Sequence, residues 1–432
     1  MWGQRPGGAP AGGGGGWGAG AGGGAAAGGG GWGQQQQQPA GGGGGWGAAG
    51  GGGAGMRPGG PGGAPPGGMG AAGRPSTSHS NASAVGTNDA DVQLPECPTG
   101  IISSVRWTPA NCVNLMVGAT SWDKSVRVWG VQTQIGGNGL VSAAQASPIG
   151  IQNSEMPILS CDFAKDARAF YGGCDRMGMM WDLQTGQTQQ VAAHDAPICC
   201  VRYQEDGAAA PMLVTSGWDG KVRFWDLRQS TPAKEEQFGA PVHDMDLTTA
   251  PLATFLCGRK AVIYHLQNMT KSHEVEPIAK ASYAMRRVAN LKNQSAVFAC
   301  TVDGRIVNLP VSAQQQPDQF KAHGGHDNVN PKLFDAYQMN FICAHPTNQT
   351  LITGASDGLI RCFDIKARGR FYEFPARRHN NVPIPVSAGD LSADGLMLAY
   401  AVSYDWSLGK DGYNPQAPQG IFLKAFASDH VR

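Results

Sequence analysis

An Asp in a tight turn, followed six residues later by an aromatic or apolar residue, recurs along this chain. The pairs are Asp123 with Trp129, Asp175 with Trp181, Asp219 with Trp225, Asp303 with Leu309 and Asp357 with Phe363. Ser403-Tyr404-Asp405 repeats the turn ahead of a longer excursion. Successive Asp residues are 52, 44, 84, 54 and 48 positions apart. The step of 84 is two units of about 42, and Gly258-Arg259-Lys260 stands where the missing turn belongs. Self-similarity at about 40–45 residues with Trp-Asp endings predicts an all-β, seven-bladed β-propeller of WD repeats.

The seven units run from Ile101, Ile158, Ile198, Val242, Arg287, Met339 and Val386. Asp91-Val92-Gln93-Leu94 alternates polar and apolar as a half-buried strand does. Lying ahead of the first unit, it is placed to close the ring by joining the last blade, which leaves few free sheet edges. Gly136 to Pro148, Ala313 to Lys332 and Gly409 to Gln419 read as loops, being rich in Gly, Pro, Gln or other polar residues.

Composition divides the chain in two. Residues 1–80 hold 37 of the 65 Gly and three Arg, with no Lys and no acid. The predicted domains are a disordered Gly/Ala/Gln-rich tail at 1–88 and the propeller at 89–430. The tail offers too little apolar area to offset the entropy of ordering it. Its Trp17, Trp32 and Trp46, each between two glycines, could serve as weak multivalent contacts. Beyond the first 80 residues stand 30 basic and 32 acidic side chains, so any basic binding surface has to be local. The ten Cys are scattered without a C-x-x-C pair, which argues for buried thiols in a reducing compartment and against structural zinc. With no long apolar run and no secretory leader pattern, the expected location is the nucleus or cytosol.

Candidate sites divide by residue type. His194 precedes the third unit at the interval expected of a structural His, within reach of Ser216, Asp219 and Trp225 in a buried network. His323-Gly324-Gly325-His326 has ligand-like spacing without a third ligand and reads as a solvated loop; no metal or other cofactor is expected. No phosphate-binding Gly loop or nucleophile elbow is present, so the chain is not read as an enzyme. Trp225-Asp226-Leu227-Arg228 fits the W-D-x-R pattern of propellers that serve as receptors of cullin-type ubiquitin ligases. Arg305, Phe320, Lys321, Lys366 and Arg368 fall in the adjacent fifth and sixth units, and strand packing does not require most of them. They suggest a focused basic groove with an exposed aromatic, suited to an acidic peptide or single-stranded nucleic acid.

The last unit carries a resemblance. Ser403-Tyr404-Asp405-Trp406-Ser407, then Tyr413-Asn414-Pro415-Gln416 and Ile421-Phe422-Leu423, resemble the messenger-RNA export WD-repeat family of nuclear pores, the Rae/Gle type. Ala193-His194-Asp195-Ala196-Pro197, Ser216-Gly217-Trp218-Asp219, Phe224-Trp225-Asp226 and Asp303-Gly304-Arg305 also match. The resemblance covers about residues 89–430 and implies an adaptor at the nuclear pore. Such an adaptor would bind the short acidic GLEBS motif of an FG nucleoporin and associate with RNA. By position, Arg305 and Lys321 would pair with acidic groups of the motif. Phe320, Phe363, Lys366 and Arg368 would line a nucleic-acid groove. The sister Bub-type checkpoint propellers imply a mitotic scaffold as the alternative. Phe363 stands where relatives have Trp, and Ile365 where a Lys is expected.

Overall fold

A computed structural model of the protein describes residues 91–276, 283–326 and 334–432. The expected tail, with Trp17, Trp32 and Trp46, lies outside the described residues. Seven four-stranded antiparallel sheets follow one another. Blade one comprises Ile102–Trp107, Met116–Ser121, Ser125–Ile135 and Val141–Asn153. Blades two to six span 158–193, 198–237, 242–275, 285–321 and 339–374. Blade seven is Val386–Leu391, Met397–Val402 and Gly420–Ala425, completed by Val92–Gln93. Val92 pairs with Leu423 and Gln93 with Phe422, so the ring closes through the strand that precedes the first unit. The first strands of successive blades pack side by side in a closed cycle around a central channel.

The sequence dictates a gradient across each blade. Second strands such as Met116–Ser121, Met212–Gly217, Leu252–Cys257 and Met397–Val402 are buried at every residue. They are covered on both faces by neighbouring blades, so they lack the polar alternation of a half-exposed strand, and their few polar residues are Ser and Thr. Fourth strands lie at the rim, and Lys234–Gln237 alternates between half-buried and exposed. Seven apolar clusters result, one at each blade interface. Gly118 is required at one of them, because a Cβ there would stand 2.6 Å from the Phe163 ring of the next blade.

Two of the expected loops contain fourth strands. Val141–Asn153 extends blade one, and Asp318–Lys321 completes blade five. Being outermost, such strands need little apolar character, and their polar composition disguised them.

The channel cavity, about 360 Å³, is lined by the first strands and carries charges in alternation. Asp390 accepts the backbone N–H of Trp107 at 2.9 Å, and Asp162 that of Tyr203 at 2.9 Å. Asp244 accepts from Val288 at 3.0 Å and Asp246 from Asn290 at 2.6 Å. Each carboxylate therefore ties its own blade to the next. Arg106 lies between Asp390, at 3.5 Å, and Asp162, at 3.7 Å, and Arg202 lies 3.6 Å from Asp244. Burial still pushes the Asp390 carboxyl above its ordinary range.

Candidate peptide and nucleic-acid interfaces

The recurrent turns begin with buried polar networks. His194 Nδ1 donates to Asp219 at 2.9 Å, its Nε2 accepts from the Thr215 hydroxyl at 2.8 Å, and Trp225 Nε1 donates to that hydroxyl at 2.8 Å. The hydroxyl is Thr215 rather than the expected Ser216. Thr215 lies one residue further from the turn, on the same face of its strand as Leu213, which pairs with Trp225 on the third strand. Asp219 also accepts the backbone N–H of Lys221 at 3.0 Å and of Asp195 at 3.2 Å.

Blade six repeats the arrangement, which corrects the reading of His323. His323 is buried, donating to Asp357 at 3.0 Å and meeting Thr353 at 2.9 Å. The His-to-Asp interval is 34 residues here against 25 in blade three, and the added residues hid the match. Among the described residues no cluster of His, Cys, Asp or Glu could hold a metal. No helix among them is long and apolar enough to cross a membrane.

Burial holds His194, His243, His323 and His345 below the ordinary histidine pKa. The unfolded chain then binds more protons than the folded one as pH falls through about 6.5, so stability is lost on acidification. A melting temperature that declines between about pH 7 and pH 5 is the expected result. A flat profile over that window would contradict neutral buried histidines.

One hydrogen bond, repeated seven times, defines a face. The backbone N–H at the second-to-third-strand turn donates to the segment entering the first strand: Trp122 to Ile101, Cys174 to Pro157, Trp218 to Pro197, Gly258 to Pro241, Val302 to Ala284, Ser356 to Gln338 and Ser403 to Pro385. All of these segments therefore lie at one end of the blades, called here the turn face. Of fourteen exposed large apolar side chains among the described residues, ten belong to it. They include Trp122, Trp218, Tyr283 and Trp406. Trp406 stacks on Tyr413 at 5.7 Å and 7° within the blade-seven excursion. Asp405, in that excursion, reaches across to Asn340 and Ser356 of blade six at 2.6 and 2.5 Å.

Arg287 lines the channel, and Arg286 precedes it towards the turn-face end of the same strand. Arg286 and Arg287 lie in Met285–Asn290, the first strand of blade five. Arg287 donates to the Asn340 carbonyl at 3.2 Å, whereas the buried Nε of Arg286 has no hydrogen-bond partner. Burial and the adjacent Arg287 push Arg286 down to about 10, and both arginines help depress His243. An anion at this mouth would relieve an under-compensated, half-buried cation. Sequence reading missed Arg286. Two cations inside a first strand were the available signal, because that strand lines the channel.

The residues singled out in blades five and six do not form one patch. Arg305 and Lys321 pair across the strands at the turn-face end, while Asn308 and Asp318 pair at the other end. Arg305 is held by Asp303 at 2.7 Å, and the Lys321 ammonium stands 3.9 Å from the centre of the Phe334 ring. Lys366 and Arg368 sit in the turn between the third and fourth strands of blade six, at the opposite end. Phe363 is 2% exposed and cannot line a groove, since its position on the third strand faces blade five. Its ring meets half-buried Phe320 at 5.8 Å. The W-D-x-R arginine, Arg228, is taken up by Asp226 of its own turn at 2.6 Å.

Fold and turn networks together define a closed seven-bladed WD-repeat propeller. The WD domain, G-beta repeat family model matches residues 92–130, 186–226 and 331–364. The chain is 31% identical over 335 residues to the WD40 repeat protein poxJ of Penicillium oxalicum, covering 77% of this chain and 92% of the relative. It is 29% identical over 360 residues to the Poly(A)+ RNA export protein of Schizosaccharomyces pombe, covering 83% and 96%. A solved structure, that of U3-55K, superposes with a TM-score of 0.59 at 12% identity, covering 75% of this chain and 95% of the other, and shares the fold alone. The chain belongs to the WD-repeat family of mRNA-export proteins, the Rae/Gle type.

Proposed function

We propose that this protein is a non-enzymatic adaptor in mRNA export at the nuclear pore. It holds an acidic GLEBS-type motif of an FG nucleoporin on its turn face and contacts RNA from the opposite end of the blade five–six cleft. The observation that carries the peptide reading is half-buried Arg286, whose buried Nε has no hydrogen-bond partner, set in a face rich in exposed aromatics. An acidic side chain entering the channel mouth would meet Arg286 and Arg287, with Arg305 and Lys321 flanking it. The name of the Schizosaccharomyces pombe relative supports the export role. Lys366 and Arg368 are exposed cations suited to phosphate, and half-buried Phe320 is the candidate stacking surface left to the groove.

Titration of a GLEBS-type peptide and of a short single-stranded RNA against the full chain tests both limbs. Peptide binding that survives blockade of the channel mouth would contradict the first limb. RNA binding that does not weaken with rising salt would contradict the second, since phosphate contacts release counterions. A tagged pull-down under gentle salt should bring nucleoporins and RNA. Recovery of checkpoint kinases or a cullin adaptor instead would favour the Bub-type or ubiquitin-ligase reading.

A further inference from the structure

The turns at the far end of blades two and six are built alike. In blade two, Asp182 Oδ1 accepts the backbone N–H groups of Gln184 and Thr185 at 2.8 and 3.0 Å, and Gly186 takes φ 75°. In blade six, Asp364 Oδ1 accepts those of Lys366 and Ala367 at 2.8 and 2.9 Å, and the residue matching Gly186 is Arg368, at φ 51°. A left-handed backbone favours Gly, so an Arg there is kept against its conformational preference and its side chain needs a reason.

That side chain crosses to blade five. Arg368 Nη2 meets Asp318 Oδ2 at 2.8 Å, with the Arg368 side chain exposed and that of Asp318 half-buried. The contact uses one carboxylate oxygen only. Asp318 Oδ1 and the neighbouring Asn308 Oδ1 are buried without partners. Lys366, two residues from Arg368, is exposed and has no side-chain partner among the described residues.

We infer that Arg368 and Lys366 form a phosphate site for single-stranded RNA, and that Asp318 is its resting occupant, a carboxylate standing where a phosphodiester oxygen binds. This rests on the RNA limb of the proposed function and adds the residue that sets its affinity. A one-oxygen ion pair exposed to water is weak enough to exchange, and a phosphodiester offers two oxygens to the guanidinium and the ammonium together. RNA binding thus begins with loss of an internal ion pair, which lowers both the affinity and the apparent number of phosphate contacts.

The test compares parent, Asp318→Asn and Arg368→Gly by titration with a labelled single-stranded RNA across a salt series, with melting temperatures recorded. Asp318→Asn should bind roughly two- to fivefold more tightly at low salt, the factor that freeing an exposed ion pair supplies. Arg368→Gly should bind more weakly, with a salt slope shallower by less than about 0.7, the value of one full contact, while melting no lower than the parent, because Gly suits that backbone. Neither change should alter affinity for the acidic peptide. Unchanged or weaker RNA binding by a folded Asp318→Asn, beside a parent that binds, would overturn the inference. Failure of both parent and Asp318→Asn to bind would instead overturn the RNA limb itself.

Discussion

Replacing Asp219 with Ala should lower the melting temperature of the propeller by roughly 5–10 °C. The carboxylate is 7% exposed and accepts from the His194 ring and from two backbone N–H groups. Its removal leaves the buried His194 ring, the half-buried Lys221 N–H and the exposed Asp195 N–H without their acceptor, and breaks the chain that runs through Thr215 to Trp225. The cost of breaking such a buried network is about 3–5 kcal/mol, a large share of a domain's margin. Blade five supplies an internal control. Among the described residues Asp303 meets only Thr301, at 2.5 Å, and Arg305, with no histidine, so Asp303→Ala should cost clearly less. Equal melting temperatures for Asp219→Ala and the parent would remove the network from the account of stability.

Arg286→Glu should abolish binding of an acidic motif peptide under conditions where the parent saturates. Truncating one member of a desolvated charge pair costs about 2–5 kcal/mol, and reversal adds repulsion, so affinity should fall at least about thirtyfold. Arg305→Glu should weaken the peptide less, because Asp303 already takes up much of the Arg305 charge. Lys366→Glu, at the other end of the blades, should leave the peptide unaffected. Parent-like peptide affinity in a folded Arg286→Glu would remove the channel mouth from the interface.

Legibility in the sequence followed burial. The Asp-to-Trp spacing revealed the blades because each turn and third strand must satisfy the same packing, and the alternation at Asp91–Leu94 marked the closing strand. Fourth strands were obscured, since Val141–Asn153 and Asp318–Lys321 face water and need no apolar period. His323 was hidden by the longer interval to Asp357, and Thr215 by a shift of one residue along the strand.

The candidate site was legible in residue type and not in place. Arg305, Lys321, Lys366 and Arg368 fall in adjacent units, yet each blade runs its strands up and down, so residues of neighbouring units reach opposite ends. Phe363 seemed free for stacking only while its strand position was unassigned; in the fold it belongs to the apolar cluster between blades five and six. Arg286 was invisible for the converse reason. The adjacent Arg287 was legible, but the missing partner at Nε that gives Arg286 its significance is displayed only in three dimensions.

Hydrogen exchange of the full chain with and without an acidic GLEBS-type peptide tests the central claim most directly. Bound peptide should slow exchange at the turn-face segments of blades five to seven, notably around Arg286, the turn at 302–305 and the excursion at 403–419. The turn of blade six at 364–369 should exchange as before. Protection confined to that far-end turn, or no protection at a peptide concentration that saturates binding, would contradict a propeller that receives its partner on the turn face.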